Sequence, residues 1–206
     1  KEFLFISLIN FIITLMFYLL IVTIASYAQS EYGATTSTAG LVSSIFIIGS
    51  LIGRLGAGRV IGNIGTQKTL WIGLLFFTIT SALYFATFNI GLLIVNRLLQ
   101  GIAVGIAGTA TGTIIAQILP NTRKGEGIGY YSLSAILATA IGPFLGILLL
   151  KMEGGFQWIF AMNVVLSVVC LIIYAIVKIE VPLPKFPNQD MEKSSFISKF
   201  IEPRAI

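Results

Sequence analysis

Histidine is missing from this 206-residue chain, and its single cysteine, Cys170, stands in an apolar run. A His/Cys metal site has too few ligands to form, and an intramolecular disulfide has no second thiol. Charge is almost as scarce. Asp, Glu, Lys and Arg make up 10% of the residues, against about 25% in soluble domains. No acidic residue lies inside the long apolar runs: Glu31, Glu126, Glu153 and Glu180 all fall at their ends or between them. A membrane-embedded enzyme would need a nucleophile and base, and no such pair is found. The Gly-rich stretches are continuous with apolar runs rather than strand-to-helix turns, which argues against an ATP-binding phosphate loop. No cofactor motif is present.

What remains is apolar. The hydrophobic fraction is 56% and the mean hydropathy +0.96, so the expected partner of this surface is a lipid bilayer. A helix of about 20 apolar residues crosses one. Six such segments are predicted, at 3–27, 38–61, 68–88, 90–118, 127–150 and 156–179, giving an all-α membrane protein. The first is too long for the apolar part of a cleavable signal. Connections this short leave neighbouring helices antiparallel.

The net charge of +5 is spread over loops and tail, a topology pattern rather than a nucleic-acid patch. Lys1, Arg59, Lys68, Arg123, Lys124 and Lys178 fall on one side of the predicted spans, and Lys151 on the other. Both ends of the chain are therefore expected in the cytoplasm, with the protein multi-pass in the cell membrane. Arg54 is expected to snorkel to the same inner surface. Residues 1–179 form the six-helix unit. Residues 180–206 read as a cytoplasmic linker toward a second half, broken by Pro182, Pro184 and Pro187, with one amphipathic turn around Phe196 to Phe200.

Arg97 is the only formally charged residue between Lys68 and Arg123. A guanidinium at membrane depth costs about 2.5–3.5 kcal/mol on insertion scales and normally faces a protein interior or wet cavity. An arginine that merely snorkels is the alternative. Asn96 and Gln100 beside it suggest a lined interior. In the first span Asn10, Thr14 and Tyr18 recur at i, i+4, i+8 and share one face. They line a cavity, or else Thr14 bonds only its own helix. Tyr130, Tyr131, Ser134 and Asn163 are weaker candidates.

The second and fifth spans match at an offset of 89. Gly40, Gly49, Gly53 and Ala57 correspond to Gly129, Ala138, Gly142 and Gly146, and Ser43 to Ser132. The last three of each set lie on one helix face, where small side chains allow close approach. Glycine is frequent enough here for chance to produce such a match. The other reading is two three-helix units, a common construction in secondary transporters.

Three motifs at these places resemble those of the major facilitator superfamily, of which the chain looks like an N-terminal six-helix half. Gly58-Arg59-Val60-Ile61-Gly62-Asn63-Ile64-Gly65-Thr66-Gln67-Lys68 resembles the family's Gly-x-Leu-Ala-Asp-Arg-x-Gly-Arg-Lys loop. Gly62 and Asn63 replace its aspartate and arginine, so the family's charge-relay contact lacks its acid here. The glycines suit a tight turn. Arg97-Leu98-Leu99-Gln100-Gly101 is similar to the family's Arg-x-x-Gln-Gly motif, whose arginine faces the cavity and is linked to proton coupling; Gly105 follows one turn on. Gly129, Ala138, Gly142, Pro143 and Gly146 resemble the antiporter motif of the family's exporters, with Pro143 expected to kink the helix.

The resemblance implies secondary transport by alternating access: proton-coupled efflux of small amphipathic compounds. Arg97, Gln100, Asn10, Thr14 and Tyr18 would line the cavity. The implied partners are a small-molecule substrate, a coupling proton and a C-terminal half supplying the membrane carboxylate. Uptake of a sugar, organic anion or amino acid is the alternative within the class, and a non-transporting scaffold or receptor-like bundle the alternative outside it.

Overall fold

A backbone in lipid must satisfy its own hydrogen bonds, and without a closed barrel only helices do so. The computed structural model describes residues 1–177, and these form six long helices: α1 (Glu2–Tyr32), α2 (Thr36–Ile64), α3 (Thr66–Ala82), α4 (Ile90–Ile118), α5 (Lys124–Leu150) and α6 (Gly155–Ile176). All six are long and apolar enough to span a membrane, the third by including the 3₁₀ turn Leu83–Ala86. The expected linker at 180–206, its proline break, its amphipathic turn and Lys178 lie outside the described residues.

The helix ends follow from local chemistry. The Thr35 and Asn89 side chains accept from the backbone N–H groups of Thr38 and Leu92 and start α2 and α4. These bonds satisfy donors that no earlier turn can. Gly33, at φ 61°, ends α1 in the left-handed conformation that glycine adopts without penalty.

The loop between α2 and α3 departs from expectation. Gly58 and Gly62 are inside α2, and the reversal is made by Gly65 alone, at φ 85°. The helical bonds simply continue past Gly58 and Gly62, since glycine weakens a helix by only about 1 kcal/mol. Lys68 is exposed, on the first turn of α3.

Side-chain contacts show which ends lie together. Tyr32 Oη donates to the Thr87 carbonyl, and Phe160 stacks on Tyr84, joining one end of α1, α3 and α6. Thr66 Oγ1 donates to Gln117 and Tyr174 Oη to the Gln67 carbonyl, joining the opposite end of α3, α4 and α6. Lys1, Arg59, Lys68, Arg123 and Lys124 belong to this second end, and Lys151 to the first.

The two halves repeat. Helices starting at 2, 36 and 66 recur at 90, 124 and 155, a displacement of 88 or 89 residues. The main packing partners exchange accordingly: α2 lies on α4, and α5 lies on α1. Both crossings use the small residues of the sequence match. A Cβ on Gly49 or Gly53 would strike the carbonyls of Leu98 and Ile102 in α4. One on Gly142 would come within 2.8 Å of Tyr18 Cβ and 2.9 Å of the Leu15 carbonyl in α1. Ala138 and Gly146 are buried in the same seam. Gly101 and Gly105 complete the first crossing from the α4 side, against the carbonyls of Phe46 and Ser50. Helix α5 is continuous through Pro143, whose missing N–H leaves the Thr139 carbonyl without its helical partner.

Candidate functional site: a groove between two helix crossings

A groove of about 600 Å³ runs between the two crossings, walled by α1, α2, α4 and α5. From α1 come Asn10, Thr14 and Tyr18, one face of the helix, as their i, i+4, i+8 spacing requires. Asn10 Nδ2 donates to Ser134 Oγ on α5 at 2.9 Å. Helix α4 contributes Thr109, with Gly108 and Gly112 leaving open space where a Cβ would stand. Helix α5 brings Tyr131 and Ser132. Tyr131 Oη lies 3.0 Å from Thr111 Oγ1. Of the other small residues in the motifs, Gly129 has no atom within 4 Å of an added Cβ and packs against nothing.

Arg54 also lines the groove and is exposed there. It sits ten residues before the end of α2 at Ile64, about 15 Å along the helix axis. The sequence does not reveal this place on the groove wall, because only four residues separate Arg54 from Arg59 and a cation near a loop resembles a topology signal.

Arg97 and Gln100 stand elsewhere. Arg97 is fully buried and separated from the groove by Phe46, over whose ring its guanidinium carbon lies at 4.7 Å from the centroid. Phe46 in turn stacks on Phe17, with centroids 4.7 Å apart. Arg97 Nη1 donates to Gln100 Oε1 at 2.9 Å and to Tyr84 Oη at 3.3 Å. Its Nε donates to the Val42 carbonyl at 3.4 Å. Tyr84 Oη donates to the same Gln100 oxygen. Gln100 Nε2 and Ser81 Oγ both donate to Asn163 Oδ1, at 3.4 and 3.3 Å.

No carboxylate joins this cluster, the ion pair among the described residues being Arg123–Glu126 at the helix α5 start. Arg97 Nη2, both polar side-chain atoms of Asn96 and Asn163 Nδ2 are buried without a hydrogen-bond partner among those residues. A charged, incompletely satisfied network inside a membrane bundle is costly. Two of the groups that hold Arg97, Val42 and Gln100, stand on α2 and α4, the pair that the glycines bring into close contact. Sequence reading found Arg97 and Gln100 but not Tyr84, Ser81 or Phe46. The signal for Tyr84 was its position one 3₁₀ turn past an apolar helix, where a buried hydroxyl needs a partner.

The chain has relatives of both transport directions. It is 27% identical over 146 residues to the galactose-proton symporter of Escherichia coli K12, covering 71% of this chain and 31% of the symporter. It is also 27% identical over 140 residues to the staphylopine export protein of Staphylococcus aureus Mu50, covering 66% of this chain and 35% of the exporter. The crystal structure of a D-xylose-proton symporter superposes with a TM-score of 0.70 at 16% identity, over 86% of this chain and 48% of that one. The inward-open xylose transporter from E. coli gives 0.69 at 18% identity, over 85% and 48%. The chain thus spans about a third of the length of these curated relatives and half of the solved chains. The solved structures share the six-helix arrangement, and the sequence matches the Major Facilitator Superfamily model over residues 6–205: the chain belongs to that family of membrane transporters.

Proposed function

We propose that this chain is the N-terminal half of a secondary active transporter that works by alternating access and exports small amphipathic compounds against a proton gradient. The α1–α5 crossing carries this reading. Gly142 and Gly146 bring α5 against Leu15, Tyr18, Leu19 and Thr23 of α1, beside a groove to which Tyr18 also belongs. A sequence pattern resembling an exporter motif therefore builds a tight seam along the groove wall. Uptake is the second reading, favoured by a groove wall of amide and hydroxyl groups without a carboxylate and by a symporter among the relatives.

A C-terminal half would cover the groove. Helices α2 and α5 are the least enclosed of the six. Leu51 and Leu55 on α2, and Ile136 and Phe144 on α5, are 58–68% exposed. Residues 180–206 would link the halves in the cytoplasm. The end of the bundle carrying Lys1, Arg59, Lys68, Arg123 and Lys124 faces that side, following the positive-inside rule.

The test uses the complete reading frame in inside-out vesicles under an imposed proton gradient, with cationic dyes, drugs and polar metabolites added singly. Efflux by antiport dissipates the gradient on substrate addition, and Arg97→Ala abolishes the response. Absence of any response with inserted, folded protein would contradict export. Solute entry into right-side-out vesicles driven by an inward proton gradient would establish uptake in its place.

A further inference from the structure

We propose that the groove takes substrates bearing a carboxylate or phosphate group, and that Arg54 is the residue contacting that anion. The proposal deepens the reading of the groove as the substrate site and holds for either transport direction. Arg54 is the one formally charged residue on the groove wall, and no Asp or Glu accompanies it there. It makes no ion pair or hydrogen bond among the described residues and is exposed on the groove wall. A guanidinium held there without a protein partner keeps its donors free for an anion.

The surroundings favour an anion. Gly108 and Gly112 leave the facing wall of α4 without side chains, with nothing within 4 Å of an added Cβ. Room for a ligand therefore exists where a larger residue would fill it. Ser50, one turn from Arg54, and Thr109 supply hydroxyls on the same groove. Arginine's planar fork matches a carboxylate or phosphate through two parallel bonds. Arg97 behind Phe46 is a second positive charge with no carboxylate to neutralise it. In a low-dielectric setting two such charges repel a cation and attract an anion.

The experiment uses the complete protein in lipid nanodiscs and matched solute pairs: galacturonate with galactose, glutamate with glutamine, glycerol 3-phosphate with glycerol. Binding is followed by ligand-induced thermal shift and titration. At least one anion is expected to bind tenfold or more tightly than its neutral partner. Arg54→Gln is expected to remove that preference while Arg54→Lys keeps part of it. Equal binding of both members, an unchanged anion preference in Arg54→Gln, or no binding by any anion overturns the proposal. So does an Arg54→Gln variant that melts lower without ligand and loses anionic and neutral solutes alike, the behaviour of a structural ion pair with another part of the protein. Transport of an anionic solute that survives Arg54→Gln undiminished would sink this proposal and leave alternating access standing. A protein transporting no solute of any charge sinks both.

Discussion

Arg97 is held by groups that sequence spacing reveals only in part. Gln100 was visible because it lies one turn away on the same helix. Tyr84 was not, since it reaches Arg97 from the 3₁₀ turn after α3, and the link from Asn163 on α6 to Gln100 spans 63 residues. The cluster separates stability from function. Replacing buried ionic groups with apolar ones of similar volume is often neutral, or stabilising by about 1–4 kcal/mol. Arg97→Met is therefore expected to fold at least as stably as wild type in detergent melts, yet to lose transport. A variant that melts lower and still transports would mean the arginine serves only the fold. Tyr84→Phe removes a hydroxyl shared by Arg97 and Gln100. It is expected to cost about 1 kcal/mol of stability, measured by the same melts, and to reduce transport without abolishing it.

At the scale of helices, small residues fall into two kinds that look alike in sequence. Gly53 and Gly142 touch the facing backbone, whereas Gly58 and Gly62 face open space. Gly53→Leu and Gly142→Leu are expected to destabilise by about 1–3 kcal/mol through overpacking. Gly58→Ala and Gly62→Ala should be neutral, or stabilise by up to about 1 kcal/mol through helix propensity. Gly65→Ala should destabilise by about 1–3 kcal/mol, because its φ of 85° is strained for any side chain. Thermal unfolding of the five variants in one detergent checks the ranking. The repeat was legible because Gly49, Gly53 and Ala57, and their matches Ala138, Gly142 and Gly146, are themselves buried at the crossings, although Gly40 and Gly129 touch nothing. The α2–α3 turn was legible only at Gly65, because the other motif glycines leave no trace of whether the helix continues through them.

For the whole molecule, the six spans could be read from apolar run length: the structure matches the fourth, starts the others a few residues earlier at most, and extends the first two at their far ends as well. The groove could not be read that way. Its walls come from four helices, and Asn10 meets Ser134 across 124 residues. The proposed orientation can be checked with cysteine reporters. Cys170 is fully buried and should stay silent. Lys68→Cys is expected to react with an impermeant thiol reagent from the cytoplasmic side, and Lys151→Cys from the other.

Alternating access requires the groove to open in turn to the two sides of the membrane. Thr109→Cys in the complete protein places one reporter on the groove wall, to be labelled by an impermeant reagent in right-side-out and inverted vesicles. Reaction from both sides is expected, with an imposed proton gradient raising the rate on one side and lowering it on the other. Reaction from a single side under every condition would contradict alternating access.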